Sequence, residues 1–239
     1  MELINGDNKL VMTDLLSKGV KATVIYADCI YEEKGFLREK PNWIDLCYDL
    51  LDDSGVMYVQ TDYHTSHWYR LYLEYRFGEK NFLSHLVWKN EWGNYKKDRF
   101  RQCYDDIIMY RKGKKHKFYP DRIQVPKATA KAGGLNPSGR TTKPATAWID
   151  DIVLTTTSKE RIKSSDGHLI RWQKPLSLIN RLLLPVSDEN DLIIDPFMGS
   201  NTTGVWCAMN SREFIGIEND LEVYELACDR LEETSDYHF

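Results

Sequence analysis

The chain has 239 residues, 42% of them hydrophobic, which suffices for one large α/β domain with an insertion or for two small ones. Its formal net charge is −4, no apolar run approaches the roughly 20 residues of a membrane span, and the opening MELINGDNKL lacks a basic-then-apolar signal pattern. The five cysteines (Cys29, Cys47, Cys103, Cys207, Cys228) form no C-x-x-C pair, so a reduced, cytoplasmic protein without a structural zinc site is expected.

In chain order, Ala22 to Ala27 is a short β-branched run that predicts a strand ending at Asp28. Trp43 to Leu51 carries Trp43, Ile44, Leu46, Cys47, Leu50 and Leu51 at helical spacing, and Asp52-Asp53-Ser54-Gly55 stops it. Val56 to Val59 predicts a second buried strand. Thr65 to Phe77 predicts a helix with Trp68, Leu71, Tyr72 and Tyr75 on one side, ended by Gly78. Phe82 to Trp88 is a further strand candidate, with Trp88 assigned to the core and Trp92 to the surface.

Beyond Trp88 the composition shifts. Between Lys89 and Ala145 there are fifteen basic and five acidic residues, about +10, against about −14 for the rest of the chain. Interleaved with Trp92, Tyr95, Phe100, Tyr104 and Tyr110, this charge suits a polyanion with stackable bases, DNA or RNA. A solvated lysine-rich surface is the bland alternative. Asp106 to Arg111 is a possible strand inside this segment. Lys127 to Pro144, punctuated by Gly133, Gly134, Pro137, Gly139 and Pro144, reads as a mobile loop. His64, His67 and His116 lack metal-ligand spacing, so no metal is expected.

Order returns at Lys174-Pro175, with Pro suited to the first turn of a helix running to about Pro185. Leu192 to Ile194 ends in Asp195. A small-residue turn follows (Gly199 to Gly204), then a helix, and then Phe214 to Ile217, which ends in Glu218. Strand, small turn, helix, strand and acid is how a doubly wound sheet builds a nucleoside pocket: small residues admit the ligand, and the second carboxylate takes ribose hydroxyls. Neither G-x-G-x-x-G nor Gly-Lys-Ser/Thr is present, so a nucleoside without a pyrophosphate fits better than a dinucleotide. Leu221 to Leu231 closes as a helix. The alternation predicts one doubly wound, mostly parallel Rossmann-like sheet, divided as 1–88, a basic insertion 89–147, and 148–239. An acid at a strand's carboxyl end, such as Asp28, is placed for chemistry, although a turn or cap role is the commoner fate of such an Asp. Asp7 divides in the same way between ligand contact and turn residue.

Taken together, the segments resemble the amino-methylating DNA methyltransferases of the β arrangement, over nearly the whole chain. Asn5-Gly6-Asp7 resembles that family's opening N-G-D, and Val24 to Tyr31 stands where the family has a strand followed by D-P-P-Y. Tyr58 to Asp62, Ser66 to Tyr69 and Phe77 to Phe82 resemble its next helix–strand block. Tyr104 to Tyr110 resembles the opening of its target-recognition region. Trp172-Gln173-Lys174-Pro175 resembles its Q-K-P element, and Asp195 to Thr203 its D-P-F-x-G-S-G-T-T.

The resemblance implies S-adenosyl-L-methionine as cofactor and the exocyclic amino group of a flipped base as acceptor, adenine N6 first, with cytosine N4 as the alternative. It implies a catalytic role for Asp28, Cys29 and Tyr31: a carboxylate and a backbone carbonyl localise the amino lone pair, and an aromatic ring stacks on the extruded base. It implies cofactor contacts from Asp7, Lys174, Asp195, Phe197, Gly199, Ser200, Asn201, Thr202 and Glu218. Phosphate and base contacts are expected from Lys96, Lys97, Arg99, Arg101, Lys131, Arg140 and Lys143. The partner is DNA, with a second copy or a partner methyltransferase subunit possible. Two departures stand out: Cys29 and Ile30 replace two prolines, and Asn201 replaces a glycine. A DNA-binding subunit with a weak or inactive pocket is therefore the alternative reading.

Overall fold

Strands that bury both faces and helices that bury one alternate along most of the chain in the computed structural model, which describes residues 1–29, 42–90, 95–127, 140–153, 158, 160–163, 167–170 and 172–235. The elements are β1 (Glu2–Asn5), α1 (Asn8–Ser17), β2 (Ala22–Asp28), α2 (Asn42–Leu50), β3 (Leu51–Thr61), α3 (Ser66–Phe77), β4 (Phe82–Lys89) and β5 (Tyr104–Arg111). They continue with β6 (Gln124–Pro126), β7 (Thr142–Pro144), β8 (Trp148–Ile149), α4 (Leu176–Leu183), β9 (Leu192–Asp195), α5 (Thr202–Met209), β10 (Glu213–Glu218) and α6 (Leu221–Ser235).

Eight strands form one sheet in the order β1-β10-β9-β2-β3-β5-β4-β8. The first five pair in parallel, β5 is antiparallel to β3 and β4, and β8 is parallel to β4. Only β5 therefore runs against the rest of this sheet. The chain steps outward one way from β2 to β3 and the other way from β9 to β10. The strand order thus reverses between β2 and β9, and the crevice beyond their carboxyl ends is where such sheets bind ligands. Asp28 and Asp195 are the last residues of these two neighbouring strands.

Side chains alternate between the faces of each strand. Ile25 and Ala27 of β2 face α1, α2 and α3, packing among Met12, Leu15, Ile44, Cys47 and Leu73. Val24 and Tyr26 face the opposite layer, among Leu178, Ile179, Leu182, Trp206 and Ala227 of α4, α5 and α6. The doubly wound architecture follows from that alternation.

Local chemistry sets the helix limits. Asp7 caps α1, its Oδ1 accepting from the Lys9 and Leu10 backbone N–H groups at 2.9 and 3.1 Å. Gly78, at φ 84°, ends α3 in a backbone conformation that side chains disfavour. The buried stripe of α3 is Tyr69, Leu73 and Phe77, whereas Leu71 and Tyr75 are exposed. This corrects the face expected from sequence. Two apolar stripes compete in this helix, and contact with β5 selects the one that includes Phe77, whose ring lies 5.5 Å from that of Tyr110.

The basic stretch 89–147 is not a continuous insertion. Its residues 104–111 are β5, paired on both sides inside the sheet, with Ile107, Ile108 and Tyr110 fully buried. The expected loop Lys127 to Pro144 ends in β7, which pairs antiparallel with β6 just before the loop to form a separate small sheet, and 128–139 lies outside the described residues. No helix among the described residues is long and apolar enough to cross a membrane.

Candidate active site

A cavity of about 520 Å³ lies at the switch point. Its walls come from the end of β2 (Tyr26, Asp28, Cys29), the β1–α1 turn (Asp7, Asn8), the β9–α5 turn (Asp195 to Ser200, with Thr202 and Thr203), the end of β10 (Glu218, Asn219) and Lys174. Of the residues singled out from sequence, Asp28, Cys29, Asp7, Lys174, Asp195, Phe197, Gly199, Ser200, Thr202 and Glu218 meet around this space. Tyr31 and Lys131 lie outside the described residues.

Asn201 does not line the cavity. Its backbone is left-handed (φ 58°, ψ 34°), the conformation a glycine would supply, and asparagine tolerates it. Its side chain turns into the protein, where Nδ2 donates to the Ala227 carbonyl of α6 at 3.1 Å and Oδ1 lies against Gly204. The replacement thus preserves the turn and does not crowd the cavity, a correction to Asn201 as a cofactor contact.

The turn is held from within. Asp195 is 2% exposed and accepts from Phe197 N–H at 3.1 Å and Thr203 Oγ1 at 2.7 Å. Burial pushes its pKa up to about 7, opposed by those two hydrogen bonds and reinforced by the charges of Asp28 and Glu218. Glu218 accepts from Gly199 N–H through Oε2 and from Asp220 N–H through Oε1, each at 3.0 Å, so its carboxylate is fixed at the cavity rim. Arg230, buried on α6, donates to the Ser200 carbonyl at 2.6 Å and to Thr202 Oγ1 at 2.9 Å. Burial lowers its pKa to about 10. A cation in the final helix thus braces the turn. Its sequence signal, a lone Arg on a helix, is not distinctive.

Each residue of the Q-K-P element has its own task. Gln173 accepts from Ile162 N–H at 3.0 Å and donates to the Glu160 carbonyl at 2.6 Å. Lys174 donates to Asp28 Oδ2, and its own carbonyl accepts from Thr202 Oγ1 at 3.1 Å. Pro175 is the N-cap of α4, and the Glu160 carboxylate takes the Leu176 N–H at 2.8 Å. Burial would lower the Lys174 pKa, but Asp28 and Asp105 outweigh it and the ammonium is held above its usual range.

Behind Asp28 runs a buried polar row that crosses β2, β3 and β5 and ends on Asn90, just past β4. Tyr26 Oη donates to Gln60 Oε1 at 2.6 Å, and Gln60 Nε2 donates to Asp105 Oδ2 at 2.8 Å. Asn90 Nδ2 donates to Asp105 Oδ1 at 2.7 Å. An acceptor-only carboxylate fixes both amides, so Tyr26 is fixed in turn. The row's sequence signal is slight: polar residues at or just beyond the ends of apolar strands, with nothing in their spacing that pairs them. Cys29 is 3% exposed, its N–H and Sγ both meet the Gln60 carbonyl at 3.2 Å, and burial pushes the thiol up to about 12. Such a thiol is no nucleophile at neutral pH.

Because β5 is reversed, its first residue lies at the carboxyl edge of the parallel strands, the edge of the sheet that holds the cavity. Lys96, Lys97, Arg99 and Arg101, all exposed, lead into it. Near them Tyr63 stacks on His64, ring centroids 3.8 Å apart, with Tyr104 at 6.2 Å. Other basic residues of the segment face the opposite end. Lys117 pairs with Asp188 and Asp191, at 3.0 and 2.6 Å, and Arg122 with Asp188 at 2.8 Å, just before β9 begins. Arg140 and Lys143 are exposed on the side of the small β6–β7 sheet.

An open sheet with a cavity at its switch point, a fixed acid at the end of β10 and a carboxylate on each of the neighbouring ends of β2 and β9 is an α/β architecture shared with the methyltransferase class. The model of the N6/N4 DNA methylase family matches residues 23–229, and the chain belongs to that family. It is 30% identical over 199 residues to the type II methyltransferase M.HpaI of Haemophilus parainfluenzae, a match covering 82% of this chain and 60% of that protein. It is 27% identical over 194 residues to the type II methyltransferase M.HinfI of Haemophilus influenzae, covering 80% and 50%. The chain thus matches 60% and 50% of the lengths of these two curated relatives. The crystal structure of an M1.HpyAVI–SAM complex shares the fold with a TM-score of 0.68 at 23% identity, covering 96% of this chain and 99% of that one.

Proposed function

We propose that the protein transfers a methyl group from S-adenosylmethionine to the exocyclic amino group of a base extruded from DNA, with adenine N6 as acceptor. The observation that carries this reading is convergence. Asp28 and the Asp195–Thr203 turn end adjacent strands, line one cavity, and are joined across it by Lys174. Family membership and the likeness to M.HpaI and M.HinfI support it, as does the cofactor in the M1.HpyAVI complex.

The residues fit the cofactor. The lining acids Asp7, Asp28, Asp195 and Glu218 suit a ligand bearing a sulfonium and an ammonium, and Glu218 is fixed where ribose hydroxyls can donate to it. When bound, S-adenosylmethionine supplies an electrophilic methyl on positively charged sulfur. Asp28 accepts the amino hydrogens of the base and so localises the nitrogen lone pair. As the N–C bond forms, the S–C bond breaks with its electron pair left on sulfur, and the surplus amino proton leaves through Asp28 to solvent. The buried Cys29 thiol takes no part, so transfer is direct. Tyr31 stacks on the extruded base, and Lys96, Lys97, Arg99 and Arg101 hold the flanking phosphates. In this reading 1–88 is the catalytic half and 148–239 the cofactor half. Within 89–147, the basic residues that lead into β5 supply target recognition, and Lys117 and Arg122 brace the entry to β9.

The test is mass spectrometry of nucleosides from DNA incubated with the protein and labelled S-adenosylmethionine. Label in N6-methyladenine, lost in Asp28→Ala, is the expected result. Label in N4-methylcytosine would move the acceptor, because cytosine N4 presents the same two hydrogens to Asp28. A protein that binds cofactor and DNA yet labels neither base would refute the enzymatic reading in favour of a binding subunit.

A further inference from the structure

We propose that Lys174 is a positioning residue that couples the two halves of the cavity: it holds Asp28 until the cofactor's carboxylate draws its ammonium across, so that cofactor binding readies the acceptor pocket. The proposal rests on the methyltransferase reading and concerns how that site is regulated.

Charge at the site motivates it. Among the described lining residues the ionisable carboxyls are Asp7, Asp28, Asp195 and Glu218, and Lys174 is the sole Lys or Arg. An amino-acid ligand brings a carboxylate into this acidic space, and Lys174 alone among those residues offers it a cation. Yet the same ammonium donates to Asp28, the carboxylate that must accept the amino hydrogens of the base. An oxygen already taking a charge-assisted hydrogen bond is a poorer acceptor for a second, neutral donor. The two carboxylates therefore compete for one buried ammonium.

The local structure allows the side chain to move while its root stays fixed. The Lys174 carbonyl is tied to Thr202 Oγ1, Gln173 is pinned to the 160–162 segment, and Pro175 begins α4. Arg230 holds Thr202 in turn. The four-carbon stem above this anchor is an adaptable point charge with three donors. By linkage, whatever factor the cofactor adds to base capture, the base returns to cofactor affinity, typically about 5- to 150-fold.

The experiment is a double-mutant cycle read by calorimetric titration. The probes are S-adenosylmethionine and its decarboxylated analogue, which lacks only the carboxylate. Wild-type protein should prefer S-adenosylmethionine. K174Q should lose that preference, and K174R should retain most of it. Asp28→Asn should bind S-adenosylmethionine roughly 5-fold or more tightly, because the competitor for the ammonium is gone, and in the K174Q background the same change should do nothing. Melting curves would establish that each variant is folded, with Asp28→Ser as substitute if Asn is not tolerated. Equal binding of the two probes by wild-type protein, or unchanged or weaker binding by Asp28→Asn, would overturn the latch while leaving a nucleoside pocket. Wild-type protein that binds neither probe would overturn the methyltransferase reading and the latch with it.

Discussion

Replacing Asp195 with asparagine should make the protein more stable at pH 8 and leave it little changed at pH 4. The carboxyl is 2% exposed, and its pKa stands at about 7 in place of the usual 3.8. A raised carboxyl pKa means that the folded state binds the proton more tightly than the unfolded chain. Stability therefore falls as pH rises from about 4 to about 7 and is level outside that window. A displacement of about three pH units corresponds to roughly 4 kcal/mol at most, at 1.36 kcal/mol per unit. Asparagine keeps an acceptor for the Phe197 N–H and can donate to Thr203 Oγ1, so the turn survives the change. Urea unfolding midpoints of both proteins between pH 4 and pH 8 provide the assay. His116, whose pKa burial lowers, titrates with the opposite sign in both proteins and cancels in the difference. A difference in stability that stays constant across the range would refute an ionisation penalty at Asp195.

Three further outcomes are expected. Gly204→Ala should destabilise the protein by about 1–3 kcal/mol in thermal melts, because a Cβ there would stand 2.0 Å from Asn201 Oδ1 and 2.7 Å from the Phe214 ring. Alanine at Lys96, Lys97, Arg99 and Arg101 should weaken duplex binding and flatten its salt dependence by several units of slope, whereas alanine at Lys117 and Arg122 should leave that slope unchanged in gel shifts at varied salt. Native protein exposed to iodoacetamide at pH 8 should remain unmodified at Cys29, since its thiol is buried and titrates near 12, and peptide mass mapping would detect any adduct.

The central architecture was legible because it is written in periodicities. The apolar runs of β2, β3, β9 and β10 read as strands from their short length and flanking turn residues, α2 from its helical spacing and α4 from Pro175 at its start, and the acids at the strand ends marked the crevice. β1 and β8 were not read, because four and two residues carry too little pattern. α1 was missed although Asp7 stood as its cap. The place of β5 was hidden by composition: a strand flanked by basic stretches reads as part of an excursion, and only pairing with β3 and β4 shows it to be interior. The site's supports were least visible. Arg230 and Gln60 act over separations that sequence spacing does not encode, and the rotation of Asn201 toward Ala227 depends on α6 being packed there.

The reversed strand also divides labour along the chain. A segment that enters β5 at the cavity edge and leaves it at the far edge is divided by the sheet into two pieces that start from opposite ends of one strand. In the proposed reading, the exposed residues 95–101 before β5 can be exchanged at the edge of the sheet that holds the cavity without disturbing the strand pairs. Residues after it carry the Lys117 and Arg122 braces to Asp188 and Asp191, so the same freedom there would loosen the entry to β9. If the proposed reading holds, specificity can drift on one side of the sheet while the frame around the cavity is held from the other.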